Sequence, residues 1–155
     1  MPATEDLLYA ETDRTCACCG HRDTRALTIH HIEQSKPKDE SYDNKIVLCH
    51  NCHTCHHSDK GPTKGEIVDL KRRLIRKTLT QQGLNALKAA YRKGHVTAPP
   101  FAVNHLVEMQ FLSYERPVHI YAADDSWIEH EEVSAIYGIT EHGKQLIEKW
   151  GLNGA

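Results

Sequence analysis

The chain has 155 residues, of which 39% are hydrophobic and 26% charged, and its formal net charge is −2. This length allows one ordinary domain or two small ones, and the hydrophobic content is ordinary for a soluble protein. No apolar run approaches the length of a membrane span, and the acidic start Met-Pro-Ala-Thr-Glu-Asp lacks the basic segment of a signal peptide. We therefore expect a soluble, cytoplasmic protein that does not contact membranes.

Two Cys-x-x-Cys pairs, about thirty residues apart, are the first motif along the chain. In a reducing compartment such pairs favour metal ligation over disulfides, because each pair presents two thiolates from one tight turn. A bound zinc would replace much of the core that a small domain lacks. The spacing predicts one structural Zn²⁺ rather than four reduced, buried thiols, with the ligands Cys16, Cys19, Cys49 and Cys52.

The segment between the two cysteine pairs predicts two short strands. Residues 26–32 alternate between apolar and polar side chains, and residues 44–48 form a second strand-like stretch after a polar loop. Adjacent side chains on a strand face opposite sides. His30 and His31 are therefore expected to have different roles, one as a metal ligand and the other beside the metal.

Histidine is unusually dense in this region, because residues 28–57 contain six histidines and three cysteines. These side chains bind first-row metals at neutral pH, and histidine also exchanges its proton there. The stretch from Cys52 to Gly61 has no internal glycine or proline, which allows a helix. On such a helix His53 and His57 lie one turn apart on the same face and can bind one ion together.

The residues quoted so far resemble the HNH endonuclease family, also called the ββα-metal nucleases. The match consists of His30-His31, then Asn44, then His53, with the flanking zinc knuckles of one subfamily, and it covers residues 14–58. The resemblance implies an α+β fold class, in which a small zinc-stabilised ββα-metal HNH domain precedes a mainly helical C-terminal domain.

The resemblance also implies a role for each matched residue. His30 and His53 would bind a catalytic ion, and His57 is either a third ligand or a solvent-facing helix residue. His31 would be the general base that takes a proton from water, and Asn44 would orient it. The ion would be one divalent metal, Mg²⁺ or Mn²⁺, although imidazoles also accept Ni²⁺ or Zn²⁺. The loop between the strands differs in sequence from the loop of many relatives. Part of it is acidic and would face DNA unfavourably.

A cluster of helix-breaking residues, Gly-Pro-Thr-Lys-Gly at 61–65, predicts a boundary between a nuclease domain at 1–60 and a second domain at 61–155. The following apolar stripe predicts an amphipathic helix. Its charged side belongs to a segment, residues 60–93, with 10 basic residues against 2 acidic ones. We interpret the basic run on this helix as a nucleic-acid contact rather than as a surface that only faces solvent. The run consists of Lys71, Arg72, Arg73, Arg76 and Lys77.

Three further helices and two strands are predicted beyond this point. Thr80 and Gly94 suit the two ends of one helix, and a third helix opens near Thr97. A last helix covers residues 140–150, capped by Thr140 and ended by Gly151. Strand-like stretches at 118–122 and 135–139 precede that last helix. This order resembles a winged helix-turn-helix module.

Two interpretations of the second domain stay open, because residues 94–155 contain 3 basic residues against 9 acidic ones. One is a winged-helix DNA-binding domain, and the other is a helical domain that docks on the nuclease or on a protein partner. For the whole chain the leading hypothesis is an HNH endonuclease acting on DNA. The alternatives are a zinc-stabilised DNA-binding or regulatory protein without nuclease activity, and a nuclease subunit that depends on a partner. The oligomeric state is not predicted.

Overall fold

The structure is a computed structural model in which residues 4–118 and 134–154 are described. The chain divides into two compact units, Pro2–Thr78 and Leu79–Ala155, and each is described by itself. This division falls later than the predicted boundary at residues 60 and 61. The described residues form a mixed α and β fold with six helices and two small sheets. None of those helices is long and apolar enough to cross a membrane.

The first unit contains an antiparallel pair of strands with a helix directly after it. The two strands pair from Leu27 opposite Cys49 to His31 opposite Lys45. The predicted strands are confirmed within two residues at either end, and the following helix is confirmed but begins earlier. It begins at His50 because the Cys49 sulfur accepts a hydrogen bond from the Cys52 amide and caps the helix. The elements are α1 (Thr4–Glu11), β1 (Leu27–His31), β2 (Lys45–Cys49), α2 (His50–His57) and α3 (Lys64–Leu79).

An ion pair lies inside the core of this unit and joins α3 to α1. Lys71 Nζ lies 2.6 Å from Glu11 Oε1, and both side chains are fully buried. The hydroxyls of Tyr42 and Thr78 donate to the second oxygen of Glu11, and the Lys71 ammonium lies 3.8 Å from the centre of the Tyr42 ring. Burial lowers the pKa of Lys71 to about 8, although the Glu11 carboxylate opposes that shift.

These contacts explain two differences from the sequence-based predictions. The helix after the breaker cluster belongs with the first unit because Lys71 and Lys77 both contact Glu11. The prediction that Lys71 contacts nucleic acid is wrong, because its side chain is 0% exposed and already paired. The amphipathic character of α3 is confirmed, since Ile67 and Ile75 are buried while Arg73 is exposed.

The second unit combines three helices with a three-stranded antiparallel sheet in the order β3-β5-β4. Two predicted helices are confirmed together with their caps. Thr80 and Thr140 each accept a hydrogen bond from a backbone amide three residues on, and Gly94 and Gly151 end the helices with left-handed backbone angles. The elements are α4 (Gln81–Lys93), β3 (His95–Ala98), α5 (Pro100–Glu108), β4 (Leu112–Pro117), β5 (Ala135–Ile139) and α6 (Glu141–Trp150).

Other predictions for the second unit need correction. The third helix begins at Pro100 rather than near Thr97, because a residue that precedes proline favours extended backbone and Pro99 stays extended. Residues 95–98 instead form β3. The strand predicted at 135–139 is confirmed as β5, and most of the one predicted at 118–122 lies outside the described residues. A winged helix-turn-helix is not confirmed by this order of elements, which runs α4, β3, α5, β4, β5 and α6.

Candidate metal centres

Four cysteine sulfurs meet where the loop after α1 approaches the end of β2 and the start of α2. All four lie within 4.8 Å of one another, and the sulfurs of Cys19 and Cys49 are 3.7 Å apart. Thiolates bound about 2.3 Å from one tetrahedral zinc stand about 3.8 Å apart. Cys16, Cys49 and Cys52 are buried and Cys19 is exposed. The predicted set is therefore close enough to bind a structural zinc.

Backbone amides support this cysteine cluster in the way that two knuckles require. The amides of Cys19 and Cys52 point at the sulfurs of Cys16 and Cys49, at 3.5 and 3.4 Å. Burial raises the pKa of Cys16, but hydrogen bonds from the backbone of Cys19, Cys49 and Cys18 outweigh it and lower that pKa to about 7. The pKa of Cys52 is raised by burial and then by the adjacent thiols. A cation bound among the sulfurs would offset the repulsion between neighbouring thiolates.

Three imidazoles form a second cluster between β1 and α2, here called the histidine cluster. One nitrogen each of His30, His53 and His57 lies within 4.8 Å of the others, and the Nε2 atoms of His53 and His57 are 3.1 Å apart. Two imidazoles bound to one ion at about 2.1 Å stand about 3.0 to 3.4 Å apart. The spacing of one helical turn therefore gives a separation that suits a shared ion.

The buried nitrogen of His30 supports the same interpretation. His30 is 2% exposed, and its Nδ1 atom has no hydrogen-bond partner among the described residues. Burial, followed by the nearby charges of His53, His56 and His57, lowers the pKa of His30 to about 4. The ring is therefore neutral at pH 7. A buried nitrogen without a partner is costly unless something binds it, and a metal ion fits that requirement.

A cleft of about 530 Å³ lies beside the histidine cluster. Its walls include His30, His56 and His57, part of the loop after β1, and Lys64. His56 is half-buried, its Nδ1 atom is 2.6 Å from the Pro62 carbonyl oxygen, and its ring lies 5.0 Å from that of His30. His56 has no role in the sequence-based predictions. No signal in the sequence indicated its contact with Pro62, which depends on how the chain turns after α2.

His31 lies on the opposite side of β1 from His30, as predicted, and is not among the residues that line the cleft. Its Nε2 atom is 3.0 Å from Glu40 Oε1, and its side chain is 18% exposed. The other carboxylate oxygen of Glu40 is 2.8 Å from Lys45 Nζ. Hydrogen bonds with Lys45 and then His31 lower the pKa of Glu40. A carboxylate therefore bridges the candidate base and a buried ammonium.

Asn44 has a different set of contacts from the one predicted. Its side-chain oxygen accepts from the Glu33 amide at 2.9 Å, and its side-chain nitrogen donates to the carbonyls of Asp39 at 2.9 Å and Glu33 at 3.3 Å. Its own carbonyl accepts from the Ile32 amide at 2.8 Å. These bonds fix the loop between the strands. Glu40 contacts the His31 ring, whereas the hydrogen bonds of the Asn44 side chain hold the loop.

The remaining basic residues of the predicted nucleic-acid contact lie on α3. Arg73 and Arg76 are exposed. Arg72 pairs with Asp69 at 2.7 Å, and Lys77 pairs with Asp13 at 3.0 Å. Arg73 and Arg76 are therefore the members of the run that are best suited to contact a phosphate backbone.

Comparisons with protein-family models, curated proteins and solved structures find no match. The functional interpretation therefore depends on the chemistry and geometry of the two clusters.

Proposed function

We propose that this protein is a metal-dependent endonuclease of the HNH type that hydrolyses DNA phosphodiester bonds. The observation that supports this most directly is the convergence of His30, His53 and His57 on a strand pair and helix that also hold the cysteine cluster. The histidine cluster supplies three ligands and adjoins a cleft, which leaves room for water and phosphate oxygens. Catalytic metal sites commonly keep such open positions, whereas structural zinc sites are closed by four protein ligands.

The histidine cluster would hold one divalent ion, Mg²⁺ or Mn²⁺, and imidazole ligands also suit Ni²⁺ or Zn²⁺. When bound, the ion would neutralise charge on the pentacoordinate phosphorus and assist departure of the 3′ oxygen. His53 and His57 lie one turn apart on the same face of α2, so the helix holds both side chains near each other before the ion arrives. His30 is fixed by β1 and by burial. The site is therefore largely organised by the fold.

His31 would act as the general base, the role that the resemblance to HNH endonucleases gives to the second histidine of the pair. Its imidazole accepts a proton from a water molecule while the water oxygen forms a bond to phosphorus. The bond between phosphorus and the 3′ oxygen breaks, and that oxygen takes up a proton from solvent. The products are a 5′-phosphate and a 3′-hydroxyl, and one water is consumed. Arg73 and Arg76 on α3 would contact other phosphates of the strand.

Cleavage of supercoiled plasmid DNA tests this proposal. Wild-type protein, His31→Ala and the control His50→Ala are incubated with Mg²⁺, Mn²⁺ or Ni²⁺ in turn. His50 is an exposed histidine at the start of α2, outside the histidine cluster. His50→Ala therefore also replaces one histidine by alanine, but it leaves the cluster intact. We expect metal-dependent nicked or linear product from the wild type and the control, and a loss of product with His31→Ala.

Two results would count against the proposal. Equal cleavage by His31→Ala would remove the base role of His31. The absence of cleavage by folded, zinc-loaded wild type with every metal would favour a zinc-stabilised DNA-binding protein without nuclease activity.

A further inference from the structure

We propose that Glu40, anchored by Lys45, is a positioning residue that fixes the His31 ring in the tautomer with its proton on Nε2. This inference rests on the proposed function, in which His31 takes a proton from water. It adds a residue from the loop between the strands, and that residue has no counterpart in the His-Asn-His motif found in the sequence.

The geometry begins with strand pairing. His31 and Lys45 stand directly opposite each other on β1 and β2, so their side chains share one face of the strand pair. Glu40 reaches over both from the loop, with one carboxylate oxygen 3.0 Å from His31 Nε2 and the other 2.8 Å from Lys45 Nζ. Each oxygen of the carboxylate therefore has its own partner.

The chemistry of the carboxylate then determines the state of the ring. An ionised carboxylate only accepts hydrogen bonds, so Nε2 of His31 must carry a proton to interact with it. In the neutral imidazole the other nitrogen, Nδ1, then holds the lone pair that can accept a proton from water. The contact thus selects which nitrogen of His31 acts as the base.

Lys45 explains why an otherwise exposed glutamate keeps this orientation. The Glu40 side chain is 60% exposed, whereas that of Lys45 is 10% exposed, so the ammonium requires a partner that stays in place. Asn44, next to Lys45, holds the loop through the Asp39 carbonyl one residue before Glu40. Lys45 therefore fixes the Glu40 carboxylate, and Asn44 fixes the backbone next to Glu40. The acidic loop was expected to face DNA unfavourably, and one of its carboxylates contacts the candidate base.

The variant Glu40→Gln separates this role from general loop structure, because the two side chains have nearly the same shape. Lys45 can only donate, so it retains the single oxygen of the new amide. The amide nitrogen, which donates, then faces Nε2 of His31 and favours the opposite tautomer, with the proton on Nδ1. In the double variant Glu40→Gln, Lys45→Met, the amide oxygen is free to turn to His31, and the original tautomer is expected to return.

The primary measurement is ring-nitrogen NMR of the full-length, zinc-loaded protein at about pH 9, where free imidazoles are neutral. The tautomer of His31 is read from the correlations of its two ring nitrogens with the ring carbon-bound hydrogens. The kcat and KM of plasmid cleavage are measured in parallel. Glu5→Gln, on an exposed turn of α1, is the matched control for loss of one carboxylate.

The expected result is a proton on Nε2 in the wild type and in Glu5→Gln, and on Nδ1 in Glu40→Gln. The kcat of Glu40→Gln should fall roughly 10- to 100-fold with KM little changed, and the double variant should recover part of that loss. A proton that stays on Nε2 in Glu40→Gln would overturn the proposal, even if the wild type cleaves DNA. The expected tautomers in a protein that cleaves nothing would support the positioning contact while contradicting the nuclease proposal.

Discussion

The cysteine cluster and the histidine cluster lie in the same small unit and share α2, yet they differ in almost every physical respect. The cysteine cluster offers four ligands, three of them buried, and backbone amides point at two of its sulfurs. The histidine cluster offers three ligands that range from buried His30 to exposed His57, and it borders a cleft of about 530 Å³. One is a closed site and the other is open.

One short helix contributes residues to both clusters. Cys52 in α2 belongs to the cysteine cluster, and His53 and His57, one turn apart on the same helix, belong to the histidine cluster. An ion held by four sulfurs has no free position for a reactant and therefore contributes stability. An ion held by three imidazoles beside a cleft can accept water or phosphate. Zinc in the closed site would fix the position of α2, and α2 in turn positions His53 and His57 in the open site.

The largest effect is expected from breaking the closed site. Cys49→Ser removes a buried ligand, and structural zinc contributes about 10–16 kcal/mol of apparent binding energy in small zinc domains. We expect the first unit to be unfolded and free of zinc, as measured by far-UV circular dichroism and metal analysis. Cys18→Ser is the control, since Cys18 is exposed and outside the cluster. Equal damage from both variants would show that the thiols are wrongly assigned.

The second prediction asks whether the closed site alone holds the unit together. Lys71→Met leaves the Glu11 carboxylate buried without its ammonium, which should lower the free energy of unfolding by about 3–5 kcal/mol. Urea denaturation followed by circular dichroism measures the loss. Adding Glu11→Gln to the same chain should recover much of it, because both charges are then gone. Arg73→Met is the exposed control. A loss below about 1 kcal/mol would mean that the buried pair is unimportant.

The third prediction concerns the open site. His57→Ala removes an exposed ligand, so the fold and the zinc content should stay unchanged while affinity for an added ion falls at least about 10- to 100-fold. Calorimetric titration of the zinc-loaded protein with Ni²⁺ measures this affinity. His50→Ala, which removes another exposed histidine of α2, should bind Ni²⁺ like the wild type. The same affinity in all three proteins would contradict the proposed ligand set.

The smallest effect is expected from the two exposed arginines of α3. Arg73→Ala and Arg76→Ala should each reduce the salt dependence of DNA binding by roughly one counterion. Fluorescence anisotropy with a labelled duplex at several salt concentrations provides the slopes. Arg25→Ala is the control, because Arg25 is exposed in the same unit but pairs with Asp23. An equal change with Arg25→Ala would indicate only a general charge effect.

Features with a local physical cause could be predicted from the sequence. The helix caps at Thr80 and Thr140 were found because hydroxyl side chains satisfy the first free amides of a helix. The opposite orientation of His30 and His31 follows from the alternation of a strand. The four cysteines of the closed site were found because each pair lies in one tight turn, and spacing alone brings the sulfurs of a pair together.

Features that depend on distant parts of the chain could not be predicted in the same way. Lys71 resembled a surface charge because its partner, Glu11, lies sixty residues earlier in the sequence. The contact of Glu40 with His31 depends on the path of the loop, which the Asn44 side chain fixes by donating to the Asp39 carbonyl. Helix α1 was missed because its place in the core is determined mainly by fully buried Leu8 and by this same ion pair.

We propose that this chain holds two separate metal centres, and that the ion of one is released much more readily than the ion of the other. Native mass spectrometry of the full chain, recorded before and after dialysis against a mild chelator and then with added Ni²⁺, tests it most directly. We expect one zinc that survives dialysis and one further ion that appears with Ni²⁺ and is absent in His57→Ala. A protein that keeps no zinc, or that binds no second ion when folded and zinc-loaded, would show that the two centres are wrongly assigned.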